Sequence, residues 1–435
     1  MKKIKDLFAL DNPLRLMYHK SRAVTANLLY WFPSKDMTIV WVTWTNWKTT
    51  TCNIIAKWLR ESWKKVFMFT TVNIIIWDEE YINDTKMTSP DAFLLQKLLK
   101  KAKDSWCEIA IIETASHWIK MHRVWWIDYD VAVLTNITQD HLDLHRTMKD
   151  YVNTKLKLFK DLISYKRKPW VKKTWVININ SDYVDLFKNE TYDSLYLYGK
   201  WSWASLTANN IRVENWLTKF DLRIPDWNIE IETKLKGKFN IENILAAIGV
   251  FIAFGIKKEQ IVSAIKNISG VPWRMENVEN KLWVDIFVDY AHTTDALEKV
   301  LTTLKEINYK KIVTVFWATG DRDRTKRASM GEIVSKYSDV VILTQDDDYT
   351  EKTEDIIKDV LPWINRIEGN DFFVISTRKE AIEMALSLLN EGDALLVAWK
   401  WDEHIMVTNN WPIEWHDKSV IEEILSNVEE NRIIL

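Results

Sequence analysis

A lysine followed by three threonines, at positions 48–51, could bind phosphate groups. The apolar residues from Ile39 to Val42 predict the end of a buried strand, and Asn53 to Leu59 predict the start of a helix. A strand, a tight loop, Lys-Thr and a helix follow one another in a phosphate-binding loop. There the backbone N–H groups hold the phosphates, the lysine adds positive charge and the hydroxyl binds Mg²⁺. The candidate nucleotide-binding residues are Thr45, Asn46, Trp47, Lys48, Thr49 and Thr50.

Tryptophan occupies the turns of this loop, where such loops need glycine because the backbone takes positive φ and approaches the phosphate closely. The three positions are Trp41, Trp44 and Trp47, and the whole chain has only 9 Gly but 25 Trp. Since glycine averages about 7% of residues, we interpret many of these tryptophans as glycines in the source organism, specified by a codon that is read there as glycine. The alternative is a genuinely Trp-rich protein; Trp58 and Trp415 could be true tryptophans in either case.

Composition excludes several classes of protein. The 435 residues predict two or three domains. The 59 basic and 61 acidic residues form no long block of one charge, so we expect no nucleic-acid partner. Two distant cysteines, Cys52 and Cys107, provide neither a disulfide framework nor a metal-ligand spacing. Without an apolar run of about 18 residues, the sequence predicts a cytoplasmic protein with no signal peptide and no membrane span, and we expect a monomer.

Apolar β-branched segments alternate with helical patterns over most of the chain. This alternation predicts an α/β protein with parallel sheets flanked by helices. We expect a short helical segment at 1–36, a central phosphate-binding domain at 37–271 and a second, Rossmann-like domain at 272–435. The predicted strands are Thr38–Thr43, Ile109–Glu113, Val131–Thr135, Trp175–Asn178, Ile286–Tyr290, Ile312–Phe316, Val340–Thr344, Phe373–Ile375 and Ala394–Ala398.

Three further polar segments follow predicted strands or lie on a helix. Glu113 and Ser116 end one strand, where ligands of open α/β sheets bind. The segment from Thr135 to His145 contains two histidines and two aspartates, and Lys155 lies on the helix that follows. From these residues alone, Glu113 could equally cap a helix, the segment could be a solvated loop, and Lys155 could be an ordinary surface lysine.

With glycine at the three Trp positions, the loop reads Gly-Thr-Asn-Gly-Lys-Thr-Thr and resembles the Mur ligase superfamily, which joins an amino acid to a carboxylate with ATP. Four more segments resemble that family: Phe239 to Asn243, Trp273 to Glu276, Asp289 to Leu297 and Trp317 to Arg327. The last two are similar to the MurE-type branch. That branch adds the third residue of the peptidoglycan stem peptide to UDP-MurNAc-L-Ala-D-Glu.

The resemblance implies a role for individual residues. ATP would phosphorylate the glutamyl carboxylate, and the incoming amine would attack the acyl phosphate. The catalytic and metal-binding residues implied are Lys48, Thr49, Glu113, His141 and Lys155, with two Mg²⁺ ions and a carbamoylated Lys155. The further nucleotide contacts implied are Asn136, Asn243, Arg274 and Asp289. The implied contacts to the muramoyl-peptide acceptor and the amino acid are Thr88, Ser89, Ser116, Arg123, Arg322, Asp346, Tyr349, Trp399 and Glu403.

The sequence departs from the MurE-type pattern at two places. Only about 36 residues precede the loop, whereas that branch has an N-terminal domain of about a hundred residues that holds UDP, so UDP recognition stays open. Enzymes that add diaminopimelate carry Asp-Asn-Pro-Arg where this chain has Asp346 to Tyr349. The arginine that would pair with the distal carboxylate of diaminopimelate is therefore missing, and tyrosine does not replace this bidentate contact. The acidic residues suit instead a cationic side chain such as that of lysine.

Two alternatives also stay open. The first is a two-domain ligase that resembles folylpolyglutamate synthase or MurT, which the short N-terminal segment favours. The second is a catalytically dead phosphate-loop protein that acts as a scaffold, which follows if Trp44 and Trp47 are real.

Overall fold

The computed structural model describes residues 12–433 except 44–46, 84, 86–89, 137–144, 146, 182, 189–191, 215–216, 226, 269–274, 322–323, 399–404 and 408–411. The chain forms two compact units, Met1–Ser269 and Gly270–Leu435.

The first unit contains an eight-stranded sheet in the order β4-β3-β2-β5-β1-β6-β7-β8. Its strands are β1 (Thr38–Thr43), β2 (Val66–Phe69), β3 (Asn73–Ile76), β4 (Glu79–Ile82), β5 (Ile109–Thr114), β6 (Val131–Leu134), β7 (Thr174–Asn178) and β8 (Ser194–Tyr198). Six neighbouring strands pair in parallel, in the order β2-β5-β1-β6-β7-β8. Strands β3 and β4 pair antiparallel at the edge beside β2. Both faces of β1 and β5 are buried, which explains their continuous apolar sequence.

Helices cover both faces of this sheet. They are α1 (Pro13–Leu29), α2 (Lys48–Glu61), α3 (Ala92–Asp104), α4 (Ser116–Lys120), α5 (Met148–Ser164), α6 (Val184–Lys188), α7 (Lys238–Ala253) and α8 (Lys258–Asn267). The almost wholly apolar α7 is buried all round, as expected for such a helix. It packs against α2, where the rings of Trp58 and Phe251 lie 3.7 Å apart between centroids. This contact fixes the helix that follows the candidate phosphate loop.

A small antiparallel sheet lies between the last strand of the large sheet and α7 in the chain. Its strands are β9 (Thr207–Glu214), β10 (Leu217–Ile224) and β11 (Trp227–Thr233), in the order β11-β10-β9. Every second side chain of β10 is buried, including Phe220 and Leu222, as the two-residue period of a half-buried strand requires.

The second unit contains a six-stranded sheet in the order β12-β13-β17-β14-β15-β16. These strands are β12 (Glu276–Asn277), β13 (Asp285–Asp289), β14 (Ile312–Phe316), β15 (Val340–Leu343), β16 (Phe372–Val374) and β17 (Ala394–Ala398). Only β12 pairs antiparallel. A short hairpin, β18 (Ile405–Val407) with β19 (Pro412–Glu414), follows. The helices of this unit are α9 (Thr294–Ile307), α10 (Thr325–Tyr337), α11 (Thr353–Val360), α12 (Arg378–Ser387) and α13 (Asp417–Ile433).

The predicted α/β class with parallel sheets flanked by helices is confirmed. Predicted strands such as Thr38–Thr43, Ile312–Phe316 and Ala394–Ala398 have the same bounds in the structure. The sheets differ from the prediction in carrying antiparallel strands at their edges, and β2 was not predicted. The chain divides after Ser269, close to the predicted domain boundary between residues 271 and 272.

Candidate active site

The N-terminus of α2 is the most direct candidate for a phosphate-binding site. Strand β1 ends at Thr43 and α2 begins at Lys48, so the loop between them is short. Trp47 is the residue before the helix and has a left-handed backbone with φ 72°. The first helical turn contains no acidic residue. Its N–H groups and the positive end of the helix dipole therefore favour an anion.

Glu113 lies beside this helix start, at the carboxyl end of β5, and is only 2% exposed. Its Oε2 accepts hydrogen bonds of 2.9 Å from Thr49 Oγ1 and from the backbone N–H of Thr71. Its Oε1 accepts one of 2.9 Å from Thr71 Oγ1 and lies 4.0 Å from Lys48 Nζ. The structure thus brings together three residues that the sequence singled out: Lys48, Thr49 and Glu113.

The carboxylate of Glu113 and the hydroxyl of Thr49 are hard oxygen donors, and they fit Mg²⁺. Magnesium is commonly held by one or two carboxylates together with phosphate oxygens and water. Among the residues that the structure describes, no group of three or more His, Cys, Asp or Glu side chains is arranged to hold a metal ion. Glu113 and Thr49 supply two of the oxygen ligands that such an ion would need.

Asn243 lies on α7, close to the first turn of α2. Its Oδ1 accepts a 3.2 Å hydrogen bond from Thr51 Oγ1, and its Nδ2 donates one of 3.2 Å to Asn240 Oδ1. The ring of Trp47 stacks on Phe239 at 4.0 Å between centroids with 17° between the planes. Asn243, one of the predicted nucleotide contacts, is therefore linked to the same helix that carries the predicted phosphate contacts.

Ser116 begins α4, three residues after Glu113, and forms a 2.9 Å hydrogen bond with His145 Nε2. Burial and the nearby Lys120 ammonium lower the pKa of His145 to about 4, although Asp150 opposes this shift. His145 is consequently neutral at pH 7. It packs edge-on against Tyr151 of α5, the helix that also carries Lys155.

Lys155 is fully buried, and its Nζ lies 4.3 Å above the ring of Tyr151. An ordinary surface lysine, the alternative that the sequence left open, is excluded by this burial. Two further predicted contacts in this unit, Arg123 and Asn136, are partly exposed. Burial lowers the pKa of Arg123, with Arg15 and Arg22 also lowering it and Asp91 raising it.

In the second unit, the acidic segment is at the carboxyl end of β15. Asp346, Asp347 and Asp348 are 1%, 6% and 1% exposed. The backbone N–H of Gly320 donates a 3.0 Å hydrogen bond to Asp347, and a Cβ on Gly320 would lie 1.9 Å from Asp348 O. Glycine at position 320 therefore lets the loop after β14 approach the acidic segment. Tyr349 follows with φ 52°.

The three neighbouring carboxylates affect one another's charge. Burial and the neighbouring carboxylates of Asp346 and Asp347 together raise the pKa of Asp348 to about 6, although a 2.7 Å hydrogen bond from Thr353 opposes the rise. A cation that reached this segment would relieve the cost of burying negative charge.

A buried arginine lies near the acidic segment. Arg378, at the start of α12, forms two hydrogen bonds of 2.8 and 2.6 Å with the carboxylate of Asp417 and one of 3.1 Å with Ala398 O. Burial works against its charge, but Asp417 and, beyond it, Asp346 and Asp347 raise the pKa of Arg378 above its usual value. In the same unit, Asp289 accepts a 2.7 Å hydrogen bond from the Met275 N–H.

Several predicted residues lie outside the described part of the chain. They are Thr45, Asn46, Thr88, Ser89, His141, Arg274, Arg322, Trp399 and Glu403. The described candidate residues divide between the two units. Those of the first unit are Trp47, Lys48, Thr49, Thr50, Glu113, Ser116, Arg123, Asn136, Lys155 and Asn243, and those of the second are Asp289, Asp346 and Tyr349.

Two functional candidates were missed by sequence reasoning. Thr71 donates twice to Glu113 but follows β2, a short strand whose four residues gave no clear alternation. His145 was noted only as part of a polar segment, and its pairing with Ser116 spans 29 residues. The only available signal was the position of each residue just after a strand or at the start of a helix.

The helices in the described part of the chain lack the combination of length and hydropathy that a membrane span requires.

Models of two protein domains match the chain. The model of the Mur ligase middle domain matches residues 42–251, and that of the Mur ligase glutamate ligase domain matches residues 273–399. The first match contains the phosphate loop and Glu113, and the second contains the acidic segment.

Curated relatives agree with these matches. The chain is 35% identical over 416 residues to a protein from Geobacillus kaustophilus named UDP-N-acetylmuramoyl-L-alanyl-D-glutamate–2,6-diaminopimelate ligase, covering 95% of this chain and 84% of the relative. A protein of the same name from Clostridium botulinum is 33% identical, covering 94% of this chain and 82% of the relative.

Solved structures give the same fold. A structure described as UDP-N-acetylmuramoyl-L-alanyl-D-glutamate–2,6-diaminopimelate ligase is 27% identical, with a TM-score of 0.66 over 96% of this chain and 83% of that chain. A folylpolyglutamate synthase from Mycobacterium tuberculosis has a TM-score of 0.69 at 14% identity, covering 87% of this chain and 92% of that chain. That second likeness shows the fold alone.

Proposed function

Because the chain belongs to the Mur ligase family, we propose that it is an ATP-dependent ligase that forms an amide bond in the synthesis of a peptidoglycan precursor. Its acceptor is the D-glutamyl carboxylate of UDP-MurNAc-L-Ala-D-Glu, and its second substrate is a diamino acid. The observation that carries the proposal is the cluster of Lys48, Thr49 and Glu113 at the N-terminus of α2. The names of the relatives supply the substrate class. ATP as co-substrate puts the reaction in the cytoplasm.

A carboxylate needs activation before an amine can displace one of its oxygens. The glutamyl oxygen attacks the γ-phosphorus of ATP, ADP leaves, and an acyl phosphate results. The amine then attacks the acyl carbon, and the tetrahedral intermediate expels inorganic phosphate as the amide forms. The oxygen that the carboxylate loses leaves in the inorganic phosphate, and one ATP is converted to ADP for each amide formed.

The first unit supplies charge and orientation for the phosphoryl transfer. Lys48 and the N–H groups that begin α2 stabilise negative charge on the transferring phosphoryl oxygens. Bound Mg²⁺ supplies further positive charge to the phosphate oxygens, and Glu113 and Thr49 are the residues that would hold it. Thr71 holds Glu113 in place by two hydrogen bonds, so the carboxylate is oriented before the nucleotide binds.

We assign the acceptor to the side of β5 where α4 begins. Ser116 can donate its hydroxyl hydrogen to an acceptor oxygen when neutral His145 carries its proton on Nε2 and donates to Ser116 Oγ. Arg123 offers a charge for an acceptor carboxylate. A carbamate on buried Lys155 would place a negative charge on the same helix as Tyr151 and provide ligands for a second Mg²⁺.

The acidic segment of the second unit favours a diamino acid whose distal end is cationic. Three buried carboxylates, Asp346 to Asp348, attract an ammonium group, and Tyr349 cannot pair bidentately with a distal carboxylate. We therefore expect lysine or ornithine to react better than diaminopimelate, unlike the relatives, whose names specify diaminopimelate.

The test is an assay of the protein purified from its source. ATP, Mg²⁺, UDP-MurNAc-L-Ala-D-Glu and one of lysine, ornithine or diaminopimelate are combined, and the masses of the nucleotide and muramoyl products are measured. The proposal predicts one ADP for each tripeptide product, no ADP when the acceptor is omitted, and at most one ADP for each enzyme molecule when the amine is omitted. Turnover of ATP without an amide product would contradict the ligase. A preference for diaminopimelate would contradict only the assignment of the amino acid.

A further inference from the structure

Seven tryptophans have a left-handed backbone. They are Trp31, Trp47, Trp63, Trp77, Trp106, Trp126 and Trp283, with φ between 57° and 72°. Tryptophan supplies seven of the fourteen non-glycine residues with positive φ in the described part of the chain, although only 25 of 435 residues are tryptophan. A bulky residue rarely adopts this conformation because its Cβ collides with the backbone, whereas glycine adopts it readily.

Three of these residues end helices in the same way. After α2, the Trp63 N–H donates to Arg60 O at 2.9 Å, and the next N–H, of Lys64, donates to Leu59 O at 3.0 Å. The same pair of hydrogen bonds follows α1 at Trp31 and α3 at Trp106. This arrangement closes a helix with one left-handed residue, and that residue is usually glycine.

The chain itself contains the same arrangement with glycine. After α7, Gly255 has φ 69°, its N–H donates to Ile252 O at 2.9 Å, and the Ile256 N–H donates to Phe251 O at 3.1 Å. Gly255 and the three tryptophans thus occupy equivalent backbone positions. The three tryptophans differ from Gly255 only in carrying a large side chain, which takes no part in these backbone hydrogen bonds.

Several of the seven tryptophan side chains are largely exposed to solvent and bury little apolar surface. Trp63 is 94% exposed, Trp283 is 81% exposed and Trp106 is 78% exposed. Trp77 is the first of two residues in the turn between β3 and β4, and only the first of the two has positive φ. A hairpin turn with this pattern favours glycine at its first position. At positions 63, 106 and 283 the packing of the side chain therefore does not compensate for the strained backbone.

We propose that positions 31, 47, 63, 77, 106, 126 and 283 are glycine in the protein that the source organism makes, because the organism reads the codon at these positions as glycine. True tryptophans remain where the indole N–H donates inside the fold. Trp58 Nε1 donates to Gln260 O at 3.1 Å from the interior of α2, and Trp415 Nε1 donates to Asp417 Oδ1 at 2.8 Å. The exposed indoles therefore do not mark a surface for a protein partner.

Position 47 connects this inference to the phosphate site. The Trp47 side chain is 4% exposed and fills the space between the start of α2 and Phe239. Glycine keeps the left-handed backbone at this position and leaves that space open beside Lys48 and Thr49.

Tandem mass spectrometry of the protein isolated from its source tests the assignment directly. Tryptic cleavage after lysine and arginine gives the peptides 23–35, 66–86 and 282–299, each of which contains one of the seven positions and no other tryptophan. The peptide 401–418 contains Trp415 as the control. Glycine at 31, 77 and 283 with tryptophan at 415 is the expected result. Tryptophan at 31, 77 and 283 would overturn the proposal.

Melting temperatures of recombinant variants give a second test. Trp63→Gly and Trp106→Gly should each raise the melting temperature, since each removes backbone strain and an exposed ring. Trp58→Gly should lower the melting temperature, because Trp58 is buried in the interior of α2, the helix that ends just before Trp63. A fall for Trp63→Gly as large as that for Trp58→Gly would contradict the proposal. Both tests are independent of ligase activity, so a glycine-containing protein without activity would overturn only the proposed function.

Discussion

Glu113 is the residue on which the proposed chemistry most depends. It is buried, yet it is surrounded by hydroxyl and N–H donors and by Lys48, so its negative charge is compensated. A buried carboxylate held in this way is oriented for a charged ligand, because little rearrangement is needed when the ligand arrives.

We expect Glu113→Gln to lower the ligase rate by about 100-fold or more, the typical cost of losing one preorganised electrostatic group. The parent for this comparison is the recombinant chain with glycine at positions 41, 44 and 47. Glu108→Gln is the matched control, because Glu108 precedes the same strand, is half exposed and pairs with Lys64 at 2.7 Å. A normal rate of amide formation in Glu113→Gln would remove Glu113 from the site.

The acidic segment makes a prediction about pH. The folded-state pKa of Asp348 is about 6, above the ordinary 3.8, because its carboxyl is buried beside two others. The folded protein therefore holds this proton more tightly than the unfolded chain, and stability is lost as the pH rises from 3.8 to 6. Asp348→Asn removes this loss, so its stability relative to the parent should be greater at pH 7.5 than at pH 4.5.

Urea denaturation at the two pH values measures this effect, which is at most about 3 kcal/mol. Asp355→Asn, on the exposed side of α11, is the control. Equal stability differences for Asp348→Asn at pH 4.5 and pH 7.5 would show that Asp348 is not buried as an uncompensated acid.

At the scale of elements, two ion pairs join α12 to α13 and differ mainly in burial. Arg378 and Asp417 form the buried pair, with side chains 0% and 2% exposed. Lys379 and Glu423 form an exposed pair of similar length, 2.8 Å. Since the Arg378 guanidinium also donates to Ala398 O at the end of β17, the buried pair fixes where α12 and α13 meet the sheet.

We expect Asp417→Asn to destabilise the protein by about 3–5 kcal/mol, because it leaves a buried guanidinium without its partner charge. Glu423→Gln should cost less than about 1 kcal/mol, as exposed pairs do. Chemical denaturation of both variants measures the two values. Similar losses for the two variants would mean that burial does not distinguish these pairs.

Individual elements were predictable from the sequence where their own residues decide the structure. The continuous apolar sequence of β1 and the helical period after Lys48 predicted a strand followed by a helix, and the structure confirms both elements. Strands β2 and β3 were missed because each has four residues and their antiparallel pairing depends on distant neighbours. The order of strands in the sheet was not predictable for the same reason, since β1 lies between β5 and β6 rather than beside β2.

The candidate site was predictable only in part. Strands β1 and β5 are neighbours in the sheet. Glu113 lies at the carboxyl end of β5, and Lys48 and Thr49 follow the carboxyl end of β1, so the order of the strands brings the three residues together. The contact of Thr71 with Glu113 required β2 to be known, and the burial of Lys155 required the packing of α5. Local sequence contained neither fact, because both arise from long-range contacts.

At the scale of the whole molecule, nucleotide binding should stabilise the folded chain. A ligand at about 100 times its Kd adds about 2.7 kcal/mol to the free energy of unfolding. MgATP should therefore raise the melting temperature of the chain with glycine at 41, 44 and 47. It should leave that of the chain with tryptophan at these positions unchanged, because the Trp47 ring fills the space beside α2. Equal shifts for both chains would mean that ATP binds elsewhere.

The formation of an acyl phosphate is the central claim, and isotope transfer tests it most directly. The acceptor UDP-MurNAc-L-Ala-D-Glu, labelled with ¹⁸O in the glutamyl carboxylate, is incubated with the source protein, ATP, Mg²⁺ and lysine. If the carboxylate attacks the γ-phosphorus, one labelled oxygen leaves with the inorganic phosphate as the amide forms. Label in AMP, or amide formation with unlabelled phosphate, would contradict the account.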